Sequence, residues 1–348
     1  MKKILFIINS LSNKSGTERV ACLLANLFLK DLNCHVAIAN RDTNKVNVAY
    51  NLEEEVEVFK IPGSYYEFYK ELNIKVKELQ PDLILIHNMG RLSLLCSILS
   101  TSKDTKIISL EHVAFDVRPA WVKFLSKILY KKINQVITLT AEDMLSYQSF
   151  HNNIKKINNI SPFDVDKFSA NYAKDSKTII SIGRLTYQKN FESLLETWKI
   201  VSQHNNEWCL EIYGAGEDEE KLQSFIREND LKNVYLKGQT IDVQSVYQLA
   251  AFYVMSSRFE GLPMVLIEAQ SFGLPIISYD CPHGPAEVVE NNKTGFLIEN
   301  QNSTKLAEAM QKLMASESLR VNFSNNARNH AKAYSQEEIL KDWLRVIN

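Results

Sequence analysis

Short apolar runs alternate with longer stretches in which apolar residues recur every three or four positions, from the first residues of the chain to the last. The runs "KILFII", "CHVAIA", "DLILIH", "KIISLEH" and "QVITLT" are rich in Ile, Val and Leu and predict strands buried on both faces. Helical spacing at about 18–30, 65–79, 90–100, 119–132 and 141–149 fills the intervals. Such alternation predicts a parallel sheet covered by helices on both sides. The stretch "NNISPFDVDKF" (158–168) carries Pro and Asn without any period and reads as a linker. The rhythm then restarts with "TIISIG", "CLEIYG", "NVYLKG", "FYVMSS" and "PIISYD". The expected fold class is α/β, with two Rossmann-like, doubly wound domains at 1–165 and 166–332. A terminal helix follows within 333–348, with Trp343 on its apolar face. Pattern alone does not settle whether that helix stays on its own domain or crosses back to the first. Two such domains are expected to face each other across a cleft. Ligands of doubly wound sheets sit beyond the carboxyl ends of the strands, so functional motifs are expected where strands end.

A chain of 348 residues is long for a single core, which agrees with two domains. Apolar residues at 45% and charged residues at 23% exclude a disordered chain or a coiled coil, and the net charge of −1 argues against nucleic acid as a partner. Residues 1–165 hold 21 Lys and Arg against 17 Asp and Glu, and the remainder 19 against 24, so the halves carry about +4 and −5. A basic first half suits an anionic surface or acceptor. The five cysteines are scattered with no CxxC, the expectation for reduced, buried thiols of a cytosolic protein. The opening "MKKILFIINS" has an apolar run too short for a signal peptide and reads as the first strand, and no segment reaches the ~20 apolar residues that span a bilayer.

Three strand ends carry candidate chemistry. "SIGRLTYQKN" (181–190) closes a strand with Gly183, then supplies Arg184 and Lys189 ahead of a helix. A guanidinium that chelates oxygens, an ammonium that acts as a point charge and the free N–H groups of a helix start together suit a diphosphate. "YGAGEDEEKL" (213–222) offers Gly214 and Gly216 for a tight turn, while its acidic run reads as the first turn of a solvated helix. In "FEGLPMVLIEA" (259–269) Glu260 lies in a loop and Glu268 about a turn into a helix expected to start at Pro263. Carboxylates so placed can hold hydroxyls, and the amides near Leu262 and after Pro263 can hold phosphate. An arbitrary pair of glutamates is more often a surface carboxylate plus a buried structural one.

Taken together, "EGLPMVLIEA" and "GRLTYQKN" resemble the retaining nucleotide-sugar glycosyltransferases of family 4, which have the GT-B fold. The resemblance covers essentially the whole chain and extends to "SGTERV" (15–20), "SLEH" (109–112) and "YDCPHGPAEVVENNKTGFLIE" (279–299). It implies a donor site in the second domain and an acceptor site in the first. Arg184 and Lys189 would take the donor diphosphate, Glu260 the transferred sugar and Glu268 the ribose. His112 would sit beside the reaction centre, and Gly16, Gly183, Gly214, Leu262 and Pro263 would line the donor. The form of these motifs is similar to bacterial enzymes that build capsule, exopolysaccharide, lipopolysaccharide or lipid-linked glycans. This implies a hexose or N-acetylhexosamine moved from a UDP-sugar to a glycan or lipid-linked acceptor on the cytoplasmic side, with no metal and no further cofactor. Where the family has two adjacent glycines, this chain has Ser15-Gly16, which puts a side chain at position 15.

Other features have plainer readings. Asp164 and Asp166 have the spacing of a metal pair but lie in the linker. His87 ends a strand, as an acceptor-cleft residue or as a packed or solvent-facing one. His283 is expected to shape its loop more than to bind. "RPAWVKFLSKILYKK" (118–132) places Trp121, Phe124, Leu125, Ile128 and Leu129 at helical spacing among lysines. That suits either contact with an anionic inner leaflet or a surface helix whose stripe packs on the sheet. Two rival functions use the same donor site: a nucleotide-sugar epimerase and a non-catalytic nucleotide-sugar-binding partner in a glycan assembly complex. A dehydrogenase is disfavoured because no GxGxxG follows the first strand.

Overall fold

A computed structural model describes residues 1–42, 48–168, 172–203 and 205–347. The chain divides into two compact units, Met1–Ile160 together with the helix Gln336–Ile347, and Ser161–Ser335.

In the first unit the strands are β1 (Lys3–Ile8), β2 (His35–Asn40), β3 (Glu57–Lys60), β4 (Leu83–Asn88), β5 (Lys106–Glu111), β6 (Gln135–Thr138) and β7 (Ile154–Lys156). They pair in parallel in the order β3-β2-β1-β4-β5-β6-β7. Central strands such as β4 are buried at every position, which is why their sequence shows continuous apolar runs rather than alternation. Leu5, Ile7, Ile84, Ile86, Ile107 and Val136 form the centre of this core. Helices Gly16–Asp31 and Tyr65–Leu79 coincide closely with the predicted periodic stretches, whereas the stretch 90–100 yields only the short helix Leu92–Cys96. Trp343 of the terminal helix is buried against Phe28, with ring centroids 5.5 Å apart, and Lys2 Nζ donates to the carbonyl of Ile347 at 2.7 Å.

The second unit contains β8 (Thr178–Ile182), β9 (Cys209–Tyr213), β10 (Val234–Gly238), β11 (Phe252–Met255), β12 (Ile276–Asp280) and β13 (Gly295–Glu299), again all parallel, in the order β10-β9-β8-β11-β12-β13. Ile179, Leu210, Ile212, Val254 and Ile277 lie at its core with Trp198 and Met310 from the covering helices. The division between units falls at Ser161, ahead of the expected 165/166. Phe163 packs on Phe272 at 4.8 Å and Phe168 on the same ring at 5.3 Å, while Ser161 Oγ meets Ser271 Oγ at 2.8 Å. The stretch expected to lack structure contains the short helix Val165–Phe168. Asp164 caps it, accepting from the amides of Asp166 at 3.0 Å and Lys167 at 3.3 Å.

Both sheets reverse strand order once, between β1 and β4 in the first unit and between β8 and β11 in the second. In doubly wound sheets, ligands bind beyond the carboxyl ends at this reversal, where two neighbouring loops leave in opposite directions.

Candidate active site

The loops that follow β8 and β11 flank the reversal in the second unit. The first, residues 183–190, leads into helix Phe191–Ser202; the second, residues 256–263, leads into helix Met264–Ser271. Pro263 is the extended residue capping that helix, with φ −74°, and not its first helical residue as expected. Lys189 Nζ and Glu260 Oε1, one from each loop, meet at 2.6 Å, with side-chain exposures of only 16% and 7%. Gln188 reinforces the junction, its Nε2 donating to the carbonyl of Phe259 at 3.1 Å and lying 3.5 Å from Glu260 Oε2. Arg258 adds a main-chain tie, its amide donating to the carbonyl of Gln188 at 2.8 Å, and its guanidinium lies 4.1 Å over the exposed Tyr187 ring. Arg184 is exposed and makes no hydrogen bond or ion pair among the described residues. A cation free to meet an anion therefore stands in the same loop as one already held against a carboxylate.

Two further loops come close because glycine permits it. At Gly214, with φ +147°, a Cβ would fall 1.8 Å from the carbonyl oxygen of Gly183. At Gly284, with φ +91°, it would fall 1.6 Å from that of Gly261. Any side chain there would push apart the loops that hold Lys189 and Glu260. His283 precedes Gly284 with a left-handed φ of +64°, and the amide of Glu260 reaches the carbonyl of Pro282 at 3.4 Å. Leu262 and Pro263 are buried at the start of helix Met264–Ser271. Glu268, one turn in, is also buried and accepts from the Tyr247 hydroxyl at 3.0 Å. Burial pushes the nearby Cys281 thiol up to about 12, with the Glu260 charge adding to the effect, so this cysteine stays protonated at neutral pH.

In the first unit, Gly16 opens helix Gly16–Asp31, and Ser15 is its extended cap, the Ser15 hydroxyl donating to Glu18. His112 directly follows β5, and its Nε2 lies 3.0 Å from Nδ1 of His87, the penultimate residue of β4. His87 is fully buried, which is the packed alternative of its reading and not the acceptor-cleft or solvent-facing one. Next to the pair, buried Glu111 accepts from Arg118 at 2.6 Å, Asn88 at 2.8 Å and Tyr130 at 2.9 Å. Burial raises the Glu111 carboxyl, but the Arg118 charge and hydrogen bonds from Ser109, Arg118 and Tyr130 outweigh it and hold the group below its ordinary range. Among the described residues no group of three or more His, Cys, Asp or Glu is arranged to hold a metal ion, and Asp164 is engaged as a cap.

Residues 162–330 match the family described as glycosyl transferases group 1. Over the full length of both chains, the protein is 33% identical to the amylovoran biosynthesis glycosyltransferase AmsD of Erwinia amylovora. The chain belongs to the group 1 glycosyltransferases. A Campylobacter jejuni relative, GalNAc-α-(1→4)-GalNAc-α-(1→3)-diNAcBac-PP-undecaprenol α-1,4-N-acetyl-D-galactosaminyltransferase, is 26% identical over 100% of this chain and 98% of its own. The crystal structure of a Staphylococcus aureus TarM variant, solved with fondaparinux, α-GlcNAc-glycerol and UDP, superposes with a TM-score of 0.85 at 18% identity, covering all of both chains. At that identity the likeness establishes the fold, two parallel sheets with interleaved helices as in GT-B glycosyltransferases.

Several side-chain pairings at the glycosyltransferase's strand ends had no readable mark in the sequence. Gln188 acts on Glu260, 72 residues away, and Tyr247 on Glu268, 21 residues away. Neither spacing is a local period. His87 and His112, 25 residues apart, meet only because the register sets His87 opposite Leu110.

Burial, with the His112 ring beside it, holds the His87 imidazole well below its ordinary value, and burial draws His112 down to about 4 against the opposing pull of Glu111. Between those folded values and the ~6.5 of an unfolded histidine, the unfolded chain binds more protons, so stability rises with pH. The contribution of the pair is full above about pH 6.5 and is lost as pH falls toward about 4. The urea midpoint is expected to be lower at pH 5 than at pH 7, with a smaller drop in His87→Phe. Equal drops in the two proteins would show that the pair is not the source.

Proposed function

We propose that this glycosyltransferase works with retention and without a metal, moving a hexose or N-acetylhexosamine from a UDP-sugar to a glycan acceptor, lipid-linked, in bacterial surface polysaccharide synthesis. The observation that carries the reading is the Lys189–Glu260 pair at the strand-order reversal, with exposed Arg184 in the same loop. The names of the relatives support the substrate classes: one makes amylovoran, one acts on an undecaprenol-linked glycan, and the TarM variant was crystallised with UDP.

In this reading Arg184 and Lys189 bind the donor diphosphate. Glu260 grips the transferred sugar, Glu268 the ribose, and the amides that start helix Met264–Ser271 add to the phosphate site. His112 and Gly16 of the first unit approach the sugar and the phosphates. The acceptor hydroxyl attacks on the face from which the diphosphate leaves, and negative charge grows on the departing phosphate oxygens. Lys189, already held by Glu260, and oriented N–H groups stabilise that charge better than water does, because they need little reorganisation during the reaction, and Arg184 adds a second positive charge. Lys189 shares its ammonium between phosphate and Glu260, so the ion pair orders both side chains before the donor arrives.

Helix Ala120–Leu129 supports a membrane-facing role. Val122 is buried and Leu125 and Leu129 pack on the core, but Trp121, Phe124 and Ile128 are 49%, 64% and 51% exposed. Lys127, Lys131 and Lys132 are exposed beside them. Part of the apolar stripe thus faces away from the sheet, as an interfacial helix on an anionic inner leaflet requires. Among the described residues no helix is long and apolar enough to cross a membrane.

Two measurements test these readings. Arg184→Ala is expected to lower transfer from a UDP-sugar by about 10²–10³ at unchanged melting temperature, since the side chain is exposed and unpaired. Wild-type turnover in that variant would remove the cation mechanism. Lys189→Ala is a poorer probe, because it strands the nearly buried Glu260 carboxylate, a loss of about 3–5 kcal/mol for a fully buried pair and less here. Co-sedimentation with vesicles containing anionic lipid is expected for wild type and is expected to weaken in Trp121→Ser/Phe124→Ser. Equal sedimentation of both proteins would exclude the helix as the contact.

A further inference from the structure

His87 plays no part in the proposed reaction, yet it is fully buried at the end of a central strand and hydrogen-bonded to a residue that does. Its ring is held from both sides. Phe6 stacks on it with centroids 5.3 Å apart and planes 18° apart, while the His112 ring lies 15° from coplanar with its centroid at 5.2 Å. Near-coplanar rings with Nδ1 and Nε2 at 3.0 Å describe an in-plane N–H···N hydrogen bond. The sheet fixes this geometry. His87 pairs with Leu110 and Asn88 with Glu111 across β4 and β5, and the amide of His112 donates to the carbonyl of Asn88 at 3.0 Å.

One proton lies between the two rings, and the surroundings decide which ring owns it. His87 Nε2 is buried with no partner among the described residues. If His112 donated from Nε2, neutral His87 would carry its proton on Nε2 and leave an N–H buried and unpaired. If His87 donates from Nδ1, only a lone pair goes unpaired. Orphaned buried N–H groups are the rarer of the two, so the second arrangement is favoured. His112 then accepts at Nε2 and must carry its own proton on Nδ1. No hydrogen bond engages His112 Nδ1 among the described residues, and the residue is partly exposed.

We infer that His87 is a positioning residue that locks His112 into the Nδ1–H tautomer, so that His112 meets its ligand as a hydrogen-bond donor to a sugar oxygen and not as an acceptor. The inference rests on the reading of His112 beside the transferred sugar. The tautomer itself does not.

The test uses the full chain labelled with 15N-histidine. Proton–nitrogen correlation spectra of the wild type at neutral pH are expected to show His112 protonated at Nδ1, with Nε2 as a hydrogen-bonded acceptor. His87→Leu removes the donor, and His112 is expected to shift toward the Nε2–H form with kcat for transfer about tenfold lower, as for other residues that orient a functional imidazole. His87→Asn places an amide donor near the Nδ1 position and is expected to recover the His112 tautomer and most of kcat. A purely structural role would make Leu and Asn differ in melting temperature without moving the tautomer. A wild-type spectrum with His112 protonated at Nε2 overturns the inference whatever the enzyme transfers, even if neither variant folds. An Nδ1–H spectrum combined with wild-type transfer by His112→Ala overturns instead the placement of His112 at the sugar.

Discussion

An ammonium held against a carboxylate, nearly out of water, is the interaction around which the second unit's strand ends are arranged. Desolvating either charge alone costs several kcal/mol, so Lys189 and Glu260 can be placed there only as partners, and at 2.6 Å they are. Their two loops leave β8 and β11, the strands between which the sheet reverses its order. Parallel topology brings those loops together at one edge; the ion pair and Gln188 then fix their spacing. In the proposed reading, a donor diphosphate entering there would find one cation already oriented and a second, Arg184, unengaged.

The close approach of the surrounding backbone follows from the same constraint. Four loops must converge on one edge, and at Gly214 and Gly284 the converging chains leave no room for a Cβ. The glycine pattern in "YGAGEDEE" and "CPHGP" is thus explained by backbone meeting backbone, whether or not a ligand is bound. The first unit solves its own strand ends differently. There the Glu111–Arg118–Asn88–Tyr130 network ties the ends of β4 and β5 through a buried ion pair whose carboxylate accepts from Arg118, Asn88 and Tyr130, and the two imidazoles beside it are kept neutral by burial.

Much of this was legible in the sequence where burial is two-sided. Central strands such as "LILIH" and "TIISI" announce themselves because both faces are packed and nearly every residue is apolar. The strands that escaped notice, β3, β7 and β13, are all at sheet edges, where most positions are exposed or half-buried; in β3 and β7 the apolar run breaks up as well. Motifs at strand ends were visible as local strings around Arg184, Lys189, Glu260 and Glu268. The pairings were not, because Gln188 with Glu260, Tyr247 with Glu268 and His87 with His112 meet across separate elements and follow no local period. The apolar stripe of helix Ala120–Leu129 was visible, but its division between core-facing Leu125 and exposed Phe124 depends on how the helix is rotated on the sheet, which spacing does not encode.

A crystal structure of the chain with UDP bound would show whether the Lys189–Glu260 pair and Arg184 receive a diphosphate. The diphosphate oxygens are expected within hydrogen-bond reach, about 2.7–3.2 Å, of both Lys189 Nζ and the Arg184 guanidinium, with Glu260 still facing Lys189. A diphosphate bound away from both residues, with the Lys189–Glu260 pair undisturbed, would contradict that expectation.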